Sequence, residues 1–317
     1  MTQATYNLYP EIEPYQHGWF KVSETHHIYY EQCGNPDGAP VVFLHGGPGS
    51  GCNLNQRRFF DPTHYRIILL DQRGCGRSKP LGSIENNSTD KLVSDIDGLR
   101  AFLAIERWLV FGGSWGSTLA LAYAIAYPGN VTGLILRGIF LSRPTELKWF
   151  LQDVNHFYPE SRGKLLSFLN PAEQGNMLAA YAERVFSEHA SINIPAAIQW
   201  NTYESNMMSL RPSSGSSSPV TDEVQLARAR VQIHYILNEC FVGHRHLLNE
   251  VTALAHIPTI IVQGRYDMVC PPLTAWQLHQ AMPHAQLYMI PDAGHSAMEP
   301  GTTSALIAAT EQYKSLT

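Results

Sequence analysis

What this 317-residue sequence lacks narrows its function before any motif is read. No apolar run reaches 18 residues, which argues against a membrane-spanning helix. Lys and Arg (22) do not exceed Asp and Glu (27), and the formal charge is −5. Neither nucleic acid nor an anionic membrane is therefore expected as a partner. The five cysteines (Cys33, Cys52, Cys75, Cys240, Cys270) are odd in number and without CxxC spacing. They read as reduced thiols rather than a disulfide framework or a zinc site. Fourteen histidines show no HExxH or other ligand spacing, so no metal is expected. The opening "MTQATYNLYPEIEPY" has neither a basic start nor an apolar stretch. No secretory signal is expected from it, and the expected location is cytoplasmic.

What is present suits a large core, at 44% hydrophobic residues. "WFKVS" and "HIYYEQC" predict a hairpin, followed by the turn "GNPDGAP". "VVFLHGG" (41–47), "YRIILLDQRG" (65–74), "RWLVFGG" (107–113) and "VTGLILRG" (131–138) are short apolar runs ending in glycine. Runs without polar alternation predict strands buried on both faces of a parallel sheet. Leu92, Ile96, Leu99 and Leu103 recur at helical spacing within 88–105, with Ser88 or Thr89 as the cap. Strands alternating with helices give an α/β fold.

From 141 to 250 helical runs dominate, such as "EQGNMLAAYAERVFSEH" and "DEVQLARARVQIHYILNECF". Strand signals return in "PTIIVQGRYD" (258–267) and "AQLYMIPDAGH" (285–295). The expected architecture is a doubly wound, mostly parallel core, residues 1–140 and 251–317, interrupted by a helical insertion at 141–250. "RPSSGSSSP" (211–219) reads as an exposed loop inside the insertion.

The chemistry gathers around "LVFGGSWGST" (109–118). G-x-S-x-G between a strand and a helix is a nucleophile elbow, which forces the Ser114 hydroxyl outward at a helix N-terminus. A serine needs a base, and the base a carboxylate to orient it. In this fold the order is Ser, then Asp or Glu, then His. Asp267, after "TIIVQG", and His295, after "LYMIPDAG", stand at C-terminal strand ends in that order. The oxyanion donors expected are the amides of Trp115, next to the nucleophile, and of Gly47 in "HGGPG" (45–49).

"HGGPGSG", "DQRGCGRS" (71–78), "GGSWGSTLALAYA" (112–124), "LRGIFL" (136–141), "GRYDMVCP" (264–271) and "AGH" together resemble proline iminopeptidases, a family of the α/β-hydrolase superfamily. The resemblance implies a helical cap over the site, no cofactor, and release of N-terminal proline from small peptides with a free N-terminus. Family glutamates from the cap bind the free amine. "WNTYES" (200–205) implies Glu204 as one anchor, whereas Gln232 in "ARVQIHYI" (229–236) replaces the second. Gln232 keeps an acceptor but no charge, so Gln232→Glu is expected to lower KM for free amines. The ring pocket implied is Phe140, Phe150 where tyrosine is common, and Ile236 where phenylalanine is usual. "LQDVNHFYP" (151–159) also departs from the family's small-residue stretch. These departures keep two alternatives in view: a broader amide or ester hydrolase, and an inactive binding protein on the same fold. Asp71 and Arg73 read as structural, and Cys270 as either a site-lining thiol or a packing residue. Oligomeric state is not legible.

Overall fold

The apolar runs become strands because each can bury both of its faces. In the computed structural model, which describes residues 5–211, 220–242 and 247–315, eight strands form one sheet. In chain order they are β1 (Gln16–Lys21), β2 (His27–Gly34), β3 (Ala39–Leu44) and β4 (Tyr65–Leu70), then β5 (Trp108–Gly113), β6 (Val131–Arg137), β7 (Thr259–Gly264) and β8 (Gln286–Ile290). The spatial order is β1-β2-β4-β3-β5-β6-β7-β8. The β1–β2 and β2–β4 pairs are antiparallel, and all pairs from β4 to β8 are parallel. Alternate side chains of each inner strand enter opposite cores. Val42, Leu44, Ile68, Leu70, Val110 and Leu136 pack on one side. Val41, Ile67, Leu69, Leu109, Phe111 and Ile135 pack on the other.

The α-helices of the first half are α1 (Thr89–Phe102) and α2 (Trp115–Ala126). Between β6 and β7 come α3 (Pro144–Leu151), α4 (Pro159–Ser167) and α5 (Met177–Val185), then α6 (Ala190–Ser205), α7 (Asp222–Leu237) and the single turn α8 (Leu247–Glu250). The chain closes with α9 (Pro272–Ala281) and α10 (Pro300–Tyr313). Helices α1, α2 and α9 cover the first face of the sheet and α10 the second. No helix among the described residues is long and apolar enough to cross a membrane.

Every described element between β6 and β7 is helical. These helices enclose an apolar cluster of their own, including Leu165, Tyr181, Val185, Ala197, Trp200 and Ile233, which also takes in Val269 and Cys270 from the loop after β7. Two local expectations are corrected. Ser88 occupies the N-cap of α1 but makes no capping bond with its side chain, while the Thr89 hydroxyl donates to the Cys240 carbonyl at 2.5 Å. The helical run ending "NECF" stops at Leu237, because Glu239, Cys240 and Phe241 adopt φ of +47°, +51° and +56°. Left-handed backbone cannot continue a right-handed helix. Of the loop expected at 211–219, residues 212–219 lie outside the described residues.

Candidate active site

Ser114 is the one residue between β5 and α2, at φ +58° and ψ −126°. Two glycines make this corner possible. A Cβ on Gly112 would lie 2.1 Å from the Gly116 carbonyl oxygen, and one on Gly116 would lie 2.1 Å from the Leu44 carbonyl oxygen. No real side chain fits either place, so the G-x-S-x-G spacing is a packing requirement. The Ser114 amide donates to the Arg137 carbonyl at 2.8 Å, and its carbonyl accepts from the Ser117 amide and hydroxyl. Trp115 opens α2, so its N–H has no carbonyl four residues back to bond.

The loop after β3 lies directly on this corner. A Cβ on Gly46 would come within 3.1 Å of the Gly113 oxygen and 3.2 Å of the Ser114 Cβ. Gln72 clamps the two together. Its Nε2 donates to the His45 carbonyl at 2.9 Å, its Oε1 accepts from the Trp115 indole at 2.9 Å, and its amide donates to His45 Nε2 at 3.0 Å. Burial pushes the His45 imidazole down, which keeps it neutral and able to accept that bond. Asp71 is equally structural: its carboxylate accepts from the amides of Cys52 and Arg77 and from the Arg77 guanidinium. Arg73 forks onto Asp95 at 2.6 and 2.7 Å.

Asp267 and His295 meet at the ends of β7 and β8. His295 Nδ1 is 2.7 Å from Asp267 Oδ2, with both residues buried. The carboxylate is held by three further donors: the Val269 and Cys270 amides on Oδ1, and Gln263 Nε2 on Oδ2. Arg137, at the end of β6, supplies a bond to His295 Nε2 at 3.1 Å and one to its carbonyl at 2.9 Å. A guanidinium can only donate, so Nε2 carries its lone pair and Nδ1 carries the proton toward Asp267. That is the tautomer of a general base. The hydrogen bonds of this imidazole run to Asp267 and Arg137 and not to the Ser114 hydroxyl; Ser114 and Cys270 line the same cavity. Burial pushes the Cys270 thiol well up, so it is a neutral group on the wall of the site.

A narrow cavity of about 30 Å³ joins the remaining residues. It is lined by Gly47, Ser114, Phe140, Phe150, Glu204, Gln232 and Ile236, together with Pro48, Leu147, Val269 and Cys270. Every residue expected for the substrate pocket is therefore in one place with the serine. Phe150 is fixed edge-to-face by Tyr203, with ring centroids 5.6 Å apart. Glu204 on α6 faces Gln232 on α7, whose Nε2 stands 3.1 Å from both carboxylate oxygens and 3.2 Å from the Gly47 carbonyl. Gln232 Oε1 accepts from the Trp200 indole at 2.6 Å. The indole N–H can only donate, which fixes the orientation of the amide. The acceptor expected of Gln232 is thus already taken, and the group it presents to Glu204 is a donor. Burial raises the Glu204 carboxyl from its usual range, while Gln232, His295 and Arg228 act in the opposite direction.

Comparison with known proteins agrees with this fold. Residues 39–302 match a family model described as the alpha/beta hydrolase fold. The chain is 50% identical over 309 residues to the "Probable proline iminopeptidase" of Leptolyngbya boryana, covering 96% of each chain. It is 47% identical to the proline iminopeptidase of Xylella fastidiosa (strain 9a5c), covering 96% of this chain and 99% of the relative. The chain belongs to the proline iminopeptidase family. A solved proline iminopeptidase-related protein from Thermus thermophilus shares the fold, with a TM-score of 0.57 at 20% identity over 95% of this chain and 96% of that one.

Sequence reasoning passed over three residues of this proline iminopeptidase family site: Gln72, Arg137 and Gln263. Each had a signal. Arg137 is the only charge in "VTGLILRG", Gln263 a polar residue near the end of "TIIVQG", and Gln72 the uncharged polar side chain in "DQRG". A polar side chain at the C-terminal end of a buried strand must find partners there, and in this fold that end is where the chemistry lies.

Proposed function

We propose that the protein is a serine aminopeptidase that releases the N-terminal residue, preferentially proline, from small peptides. Ser114, Asp267 and His295 act as nucleophile, orienting carboxylate and base. His295 Nε2 takes the proton of Ser114, whose oxygen attacks the carbonyl of the first residue. For this transfer the Arg137 contact yields to the hydroxyl. The Trp115 and Gly47 amides donate to the oxyanion. The protonated imidazole then gives its proton to the leaving amine, and water releases the acyl group from Ser114. Residues 141–250 serve as a lid on a core of 1–140 and 251–317, and contribute Phe150, Glu204, Gln232 and Ile236. Phe140, at the end of the core, completes the ring pocket.

One observation carries this reading: a single narrow cavity is lined by both the serine and a carboxylate, Glu204. A substrate ammonium can pair with that carboxylate only if its N-terminus is free. The test compares kcat/KM for prolyl, alanyl and N-blocked prolyl arylamides. Free prolyl substrate should be strongly preferred; equal turnover of blocked and free forms would sink the aminopeptidase. A second reading, a broader amide or ester hydrolase, is favoured by the one carboxylate at the amine end and by Ile236. Comparable rates for prolyl and alanyl arylamides would support it. Failure to turn over any amide or ester, with Ser114 unlabelled by a serine-directed phosphonate, would support an inactive binding protein.

A further inference from the structure

Arg228 stands on α7 one turn before Gln232, so the two side chains leave the same face of the helix. That face packs on the loop carrying Gly47: a Cβ on Gly49 would come within 2.8 Å of the Arg228 carbonyl oxygen and 3.2 Å of its Cα. Arg228 is partly buried, and its guanidinium makes no hydrogen bond or ion pair among the described residues; its Nε is buried without a partner. Arg57, Arg73 and Arg77 differ. Arg57 forks onto Glu31, Arg73 onto Asp95, and Arg77 onto Asp71. A buried donor left unmade carries a free-energy cost, which an acceptor brought by a substrate would relieve. Its positive charge acts on Glu204, His45 and Cys75.

We infer that Arg228 is a carboxylate-binding subsite, which takes the free C-terminal carboxylate of a dipeptide whose ammonium is held at Glu204. This rests on the aminopeptidase reading above. A dipeptide zwitterion carries one charge of each sign; Glu204 lines the cavity, and Arg228 continues, one turn beyond the lining, the α7 stripe of Gln232 and Ile236. Along α7 one helical turn, about 5.4 Å, separates Arg228 from Gln232, the partner of Glu204, and two extended residues span at most about 7 Å. A tripeptide carries its carboxylate past that reach. The guanidinium fork matches a carboxylate in a way an ammonium does not.

The test is steady-state kinetics of the full chain on Pro-Gly, Pro-Gly amide and Pro-Gly-Gly, with wild type, Arg228→Lys and Arg228→Met. Wild type should prefer the free dipeptide acid over its amide by about tenfold to 100-fold, mostly in KM, as expected for one charge-assisted contact. The tripeptide should resemble the amide. In Arg228→Met the acid-to-amide ratio should fall to near one, and Arg228→Lys should restore part of it. A wild-type ratio near one overturns the subsite without any variant. So does a ratio that persists in Arg228→Met, or a KM that rises equally for acid and amide, which would mean that Arg228 acts only through Glu204. Turnover of a prolyl arylamide reports separately on the aminopeptidase itself. If no prolyl substrate of any kind is cleaved, both readings fall.

Discussion

The ends of the parallel strands and the helices between β6 and β7 meet at one cavity, but they hold their residues in different ways. On the sheet side, position is imposed by backbone. Ser114 is forced out by two glycines that admit no side chain, and Asp267 is gripped by two amides of its own loop. On the helical side, position depends on side chains meeting side chains. Trp200 bonds Gln232, and Gln232 bonds Glu204. The two helices α6 and α7 each present residues one turn apart, Trp200 with Glu204 and Arg228 with Gln232. Backbone-determined groups tolerate almost no substitution, whereas a side-chain network can be re-specified one residue at a time. The residues at which the family resemblance implies a departure, Phe150, Gln232 and Ile236, all lie on these helices.

The contrast breaks most directly at Ser114. Ser114→Ala should lower turnover of a prolyl arylamide by about 10⁴-fold or more while leaving the thermal unfolding midpoint near wild type. Substantial residual turnover would remove the sheet side from the chemistry. Gly112→Ala should cost about 3 kcal/mol of stability in denaturant unfolding, since the added methyl meets backbone rather than a movable side chain. A neutral result would mean that the corner is softer than its contacts imply.

The helical side should respond in KM rather than in folding. Glu204→Gln should raise KM for free-amine substrates by about tenfold to 150-fold, with little change for N-blocked ones. Burial raises the Glu204 carboxyl, so the folded state holds that proton more tightly than the unfolded chain. Stability from this group is present at acid pH and lost as pH rises through the folded-state value. Glu204→Gln should therefore be more stable than wild type at neutral pH, with the gain vanishing in acid. Wild-type kcat/KM for free amines should also fall, as pH drops, at a higher pH than an ordinary glutamate would give, and this limb should be absent in the variant. The smallest effect is expected from Gln232→Glu. Two carboxylates so close share a proton, so the gain in amine affinity, about tenfold at most, should appear at neutral pH and shrink toward acid. A gain that does not change with pH would show that the two groups are farther apart in solution than 3.1 Å.

Much of the fold is written in the chain because each inner strand is apolar throughout, and only burial on both faces of a sheet satisfies such a run. The elbow is likewise local: glycines at 112 and 116 around Ser114, followed by a good helix, have few other ways to fold. What the sequence could not specify is which distant polar groups meet. Nothing local distinguishes Gln72, Arg137 or Gln263 from incidental polar residues in apolar strands. Gln232 reads from the chain as a weakened acceptor, yet the indole of Trp200, 32 positions earlier, turns its amide into a donor. The sequence alone determined the sheet, the helical character of the described elements between β6 and β7, and the order of serine, aspartate and histidine, because short-range pattern and backbone sterics suffice for these. Tertiary structure alone decided the partner of every buried hydrogen bond in the cavity, and left the nearby Arg228 Nε without one among the described residues, because hydrogen bonding depends on distance and angle between segments that chain order does not bring together.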